Sequence, residues 1–70
     1  MPEQNVYHRD GGHRVVPGDP IMDRLGDMAT FIGLIRRPAP GAPVRVAVRW
    51  THRPEHLREC QPSTFNLHVA

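Results

Sequence analysis

The stretch DPIMDRLGDMATFIGLI, residues 19–35, decides what kind of fold this 70-residue chain makes. Its first half reads as a helix. Asp19 before Pro20 has the form of an N-cap followed by proline at the first helical position, where the missing N–H costs nothing. Ile21, Met22, Leu25, Met28 and Ala29 then recur at helical spacing, with Asp23, Arg24 and Asp27 facing away. Asp23 also falls in the first turn, where the helix dipole favours a carboxylate. The second half reads differently. Thr30-Phe31-Ile32-Gly33-Leu34-Ile35 is rich in β-branched and aromatic residues, and Gly33 would weaken a helix interior. Ile32 and Ile35 continue the apolar stripe, so one helix running to Arg37 is the alternative. The reading adopted is a short helix near residues 19–28, followed by a strand.

Working outward, PAPGAP at 38–43 holds three prolines and a glycine and must be a loop. VRVAVRW at 44–50 is the clearest strand: Val44, Val46, Val48 and Trp50 share one face, Arg45, Ala47 and Arg49 the other. STFNLHVA at 63–70 reads as a final strand with Phe65, Leu67 and Val69 on one side. Upstream, NVYHRDGGHRVV carries two short runs around Asp10-Gly11-Gly12, which suits a hairpin of roughly residues 5–9 and 13–16. The expected fold class is α+β, one short helix packed on a three- to four-stranded antiparallel sheet. Residues 1–18 are expected to be an N-terminal arm or hairpin at a terminus that tends to fray. Residues 19–70 are expected to form one small domain. Its core should hold Ile21, Leu25, Met28, Val44, Val46, Val48, Trp50, Phe65 and Leu67.

Size limits function. A chain this short buries only about 60% of the surface its unfolded form exposes, and one small core supplies roughly 3–5 kcal/mol of net stability. A deep catalytic cleft is hard to build on that margin. The single cysteine excludes an internal disulfide and suits a reducing compartment. No apolar run approaches the about 18 residues of a membrane helix, and the opening residues do not read as a secretory signal. The expectation is a cytoplasmic protein of a bacterial or infected host cell, with no membrane partner.

The segment WTHRPEHLREC, residues 50–60, sets His52, His56 and Cys60 four residues apart, a spacing that on a helix would suggest a metal site. Pro54 spoils this, because a helix could start only there. His56 and Cys60 then remain as one i, i+4 pair, and two ligands fall short of a four-coordinate zinc site. On this reading Leu57, and Cys60 with it, packs inward while His56, Arg58 and Glu59 are solvated. A Cys60 nucleophile would lack a group to orient His56 and any oxyanion-hole motif. Phosphate-binding loops, dinucleotide fingerprints and nucleophile elbows are absent from the sequence. Asp19, Asp23 and Asp27 fall four apart, but as a solvated helix face they lack the loop geometry of a calcium site. No enzyme activity, catalytic residue, metal, cofactor or small-molecule substrate is expected.

Charge is the remaining signal. All nine basic residues are arginine, and residues 31–70 carry six of them against two acids. Lysine chemistry, such as Schiff-base formation, is therefore excluded. From Arg36 to Arg53 there are five arginines (Arg36, Arg37, Arg45, Arg49 and Arg53) and no acid. These are the candidate partner-binding residues. A planar guanidinium forks onto carboxylates and is enriched at interface hot spots, which points to a larger protein with an acidic surface. The alternative is nucleic acid held through its phosphates, with Tyr7 and Phe31 the only aromatic rings left to stack bases. The five acids among residues 1–30 argue against a phosphate backbone wrapped round the molecule. In size and composition the chain is similar to the small regulatory proteins with which bacteria and their phages bind and redirect a large host enzyme, the transcription machinery included. That resemblance implies a non-enzymatic regulator or inhibitor.

Overall fold

A computed structural model describes residues 4–36 and 41–70. Among these residues seven strands run in chain order: β1 (Val6–His8), β2 (Arg14–Val15), β3 (Pro20–Met22), β4 (Met28–Ile35), β5 (Arg45–Trp50), β6 (Leu57–Cys60) and β7 (Leu67–Val69). They form two antiparallel sheets, ordered β2-β1-β7 and β3-β4-β5-β6. The only helical element among the described residues is a 3-10 turn, Pro62–Phe65. The expected α+β class, with a helix packed on one sheet, is therefore wrong: the fold is all-β.

The error lies in residues 19–28, and its physical cause is turn chemistry. Val16–Asp19 is a tight turn, closed by the Asp19 N–H to the Val16 carbonyl at 3.0 Å. Pro17 and Gly18 occupy its centre, with Gly18 at φ +99°. Asp19 accepts from the Val16 N–H through Oδ2 at 3.0 Å, so its carboxylate locks a turn rather than capping a helix. Pro20-Ile21-Met22 then alternates as a strand, with Ile21 alone of the three buried. Asp23 Oδ1 accepts from the backbone N–H groups of Leu25 and Asp27, each at 2.9 Å. Gly26 supplies the left-handed residue (φ +85°) that lets the chain reverse. The result is a hairpin with Met22 opposite Met28. Leu25, placed in the core on the helix reading, sits at the tip of this hairpin and is 87% exposed.

This assignment makes a prediction of opposite sign to the helix reading. In a helix, Gly26→Ala would stabilise by up to about 1 kcal/mol. At φ +85°, it should instead destabilise by about 1–2 kcal/mol. Urea unfolding followed by circular dichroism decides the sign.

The strand expected after the helix is present and pairs with β5 across residues 36–44. Its register slips between Phe31 and Gly33, so that Phe31 faces Val48 and Gly33 faces Ala47. Ile32 is the extra residue of a bulge. Because side chains alternate with period two, this one insertion lets both Phe31 and Leu34 turn inward. Val46 and Val48, opposite them on β5, have no exposed surface.

The two sheets share one core. Val6, Val15 and Leu67 come from the first, Ile21, Ala29, Phe31, Val46 and Val48 from the second. Phe65 of the 3-10 turn joins them and packs on Trp50, ring centroids 5.3 Å apart. The N-terminal hairpin forms as expected, with Val6 opposite Val15 and Tyr7 opposite Arg14. β1 also pairs with β7, and reciprocal hydrogen bonds between Asn5 and Ala70 (2.8 and 2.9 Å) extend that pairing by one residue. The last strand is shorter than the expected 63–70. Phe65 ends the 3-10 turn, Asn66 turns the chain at φ 54°, and β7 starts only at Leu67.

Candidate functional site

The outer face of the four-stranded sheet follows from its register. Residues directly opposite each other in antiparallel strands point the same way. Phe31 and Val48 point inward, so Thr30 and Arg49, which face each other, point outward. The row continues to Pro20 on β3 and Leu57 on β6. A second row sets Gly33, Ala47 and Glu59 side by side, and a third sets Ile35 beside Arg45. Arg45 and Arg49 thus share the outer side of β5, as the alternation of VRVAVRW requires.

The five candidate arginines do not form one cluster. Arg36 is exposed just past β4, beside the Arg45 end of β5. Arg53 is exposed in the turn after β5, at the Arg49 end, where its N–H donates to the Trp50 carbonyl at 3.1 Å. Arg37 lies outside the described residues. Arg45 Nε lies 3.8 Å from Glu59 Oε1, so its charge is partly answered within the sheet. Such a half-exposed pair adds at most about 1 kcal/mol to stability. Arg49 is exposed and makes no ion pair among the described residues.

Of the apolar residues near Arg49, Leu57 and the two methionines were not legible beforehand. Leu57 stands beside it and is 58% exposed, contrary to the inward packing expected of it. Met28 (42%) and Met22 (55%) lie opposite the buried Ala29 and Ile21 by alternation and so extend the outer side of the sheet. At that end Met22 and Met28 also border a cavity of about 400 Å³, shared with Phe65, His8 and Asp10. Ile32, displaced by the bulge, is exposed as well. Placing Met28 in a helical core concealed this patch. Strand alternation through Pro20-Ile21-Met22 was the signal that could have revealed it.

The histidine–cysteine stretch forms no helix. Residues 51–56 are a turn, with the His56 N–H donating to the Arg53 carbonyl at 3.2 Å, and residues 57–60 are an edge strand. Four residues of extended chain span about 13 Å, so the i, i+4 proximity of His56 and Cys60 does not arise. His56 Nε2 lies 3.8 Å from Glu55 Oε1 instead. No group of three or more His, Cys, Asp or Glu that could hold a metal is gathered among the described residues. Cys60 packs against the core opposite Val46. Burial pushes its thiol above its ordinary value, outweighing the lowering by the nearby Arg58 and Arg45 guanidinium groups. Alkylation of Cys60 by iodoacetamide should therefore be slower at neutral pH than for a free thiol, and should accelerate only above the usual thiol range. Because the folded state holds this proton more tightly, stability should fall as pH rises past the unfolded thiol value. A free-thiol rate at neutral pH would show that Cys60 is not held against the core.

No protein-family model, curated protein or solved structure matches the chain. Among the described residues, no helix is long and apolar enough to cross a membrane.

Proposed function

We propose that the chain is a non-enzymatic binding module that docks on a larger protein with an acidic surface through the outer face of its four-stranded sheet. The observation that carries this reading is Arg49, which stands without an ion-pair partner among the described residues between Thr30 and Leu57. Exposed Met28 and Ile32 flank Thr30 along β4, and exposed Met22 lies beyond Met28 on β3. An arginine on a face that also exposes methionine and aliphatic side chains has the composition of an interface centre rather than of a solvated charged face. Arg45, Arg36 and Arg53 supply a positive margin that steers an acidic partner.

Nucleic acid is the weaker reading of this face. Phe31 is buried and Trp50 packs on Phe65, so neither ring is presented for stacking. The module fits a regulator that occupies a surface of a larger enzyme, of the transcription machinery among others, in the cytoplasm where its lone thiol stays reduced. The test compares the wild type with Arg49→Glu as baits, since Arg45→Glu would also set a carboxylate against Glu59. Retained capture of the same protein by Arg49→Glu, with an unchanged fold, would exclude the face.

A further inference from the structure

The three-stranded sheet presents a different surface, and the inference drawn from it does not rest on the docking reading. Val6, Val15 and Leu67 point into the core, so the alternate residues point outward. Arg14 on β2, Tyr7 on β1 and His68 on β7 are directly opposite one another and form one row across the outer side. The Tyr7 and His68 rings lie 6.1 Å apart at 41°. Beside them is an open depression of about 610 Å³, lined by Tyr7, His8, Arg9, Gly12 and His68. The acid of the adjoining turn, Asp10, is engaged within the protein: its Oδ2 accepts from the Asn66 side-chain amide at 3.0 Å.

We infer that this depression binds a nucleotide unit, with the base stacked on Tyr7 and the phosphate held by Arg9, which lines it, and by Arg14, which adjoins it beside Tyr7 on β2. The chemistry is selective on two counts. Arg9 and Arg14 outnumber the one nearby carboxylate, Asp10, which is held by the Asn66 amide, so the surface offers net positive charge to an anion. An aromatic ring in the middle of the row offers a planar base a stacking partner, a contact that a bare phosphate or an acidic side chain does not use. The volume lies within the range of small-ligand sites, about 300–1,000 Å³. The same chemistry is offered by a free mononucleotide and by one nucleotide of a single strand.

The experiment is fluorescence polarisation of a labelled oligothymidylate of roughly 15 nucleotides at low salt, with AMP and inorganic phosphate as competitors. Saturable binding is expected, weakened about 5- to 100-fold by Tyr7→Ala and retained by Tyr7→Phe, as loss of one stacking contact requires. Arg14→Gln should lower the slope of log affinity against log salt by about 0.7, the value for one phosphate on a single strand. Competition by AMP would assign the site to free nucleotides. Oligonucleotide binding that AMP does not displace would assign it to single strands. Should Tyr7→Ala fail to fold, Tyr7→Leu keeps the bulk, removes the ring and carries the same expectation. The inference is overturned by absence of binding, by unchanged affinity when the Tyr7 ring is removed, or by inorganic phosphate competing as well as AMP. Arg49→Glu, on the other sheet, should leave the Tyr7 dependence intact, so failure of the docking reading would not be confused with failure of this one.

Discussion

Leu67→Ala should leave the protein largely unfolded in water at room temperature. Leu67 has no exposed surface and comes from the three-stranded sheet, yet it belongs to the cluster that includes Val46, Val48 and Phe31 of the four-stranded one. Truncating a buried leucine costs about 2–5 kcal/mol, from lost transfer energy and the cavity left behind. A core of this size supplies only roughly 3–5 kcal/mol in total. The deletion therefore consumes most of the margin, and the urea transition should shift to very low denaturant or vanish. Leu25→Ala and Leu57→Ala are the controls: both side chains are exposed, and surface substitutions stay within about 0.5 kcal/mol. If Leu67→Ala unfolded at the wild-type midpoint, the two sheets would not share a core.

The leucines also show what the sequence could and could not convey. Leu25 and Leu67 are equally apolar, and only position in the fold separates them. For Leu67 the period-two alternation with Phe65 predicted burial correctly, even though a 3-10 turn and a left-handed Asn66 intervene. The β5 alternation was equally plain, because a strand paired on both sides has to put Val46 and Val48 on one face and Arg45 and Arg49 on the other. For Leu25 the helical spacing of Ile21, Leu25 and Met28 was a coincidence of hairpin geometry. Two strand residues and a five-residue turn happen to repeat apolar positions at intervals of three and four. Asp23 and Gly26 carried the turn signal, an aspartate bonding its own backbone ahead of a left-handed glycine, but Asp23 suits a helix N-terminus equally well. The bulge at Ile32 is marked only by the isolated Gly33 beside it, and a one-residue register slip also depends on the partner strand. The candidate site was legible to the same extent. Arg45 and Arg49 could be set on one side of a strand, whereas Met22 and Met28 emerge on that side only once the helix is replaced by a hairpin.

The second large effect concerns that surface. Arg49→Glu should weaken partner binding by about 30-fold or more, because an arginine at the centre of an interface is worth about 2 kcal/mol or more on truncation. Reversing its sign against an acidic surface adds repulsion to that loss. The fold should be unaffected, since Arg49 is exposed and makes no ion pair among the described residues. Leu57→Ser should act in the same direction by removing apolar contact beside it. Arg36→Glu, at the margin, should mainly slow association and make it less sensitive to salt.

The most direct test of the central claim is a paired capture from nuclease-treated lysate of the source cell, with tagged wild type and tagged Arg49→Glu as baits and their folds matched by circular dichroism. The account predicts a discrete protein retained by the wild type and lost with Arg49→Glu. Capture of the same protein by both baits, or of none by either, would contradict it.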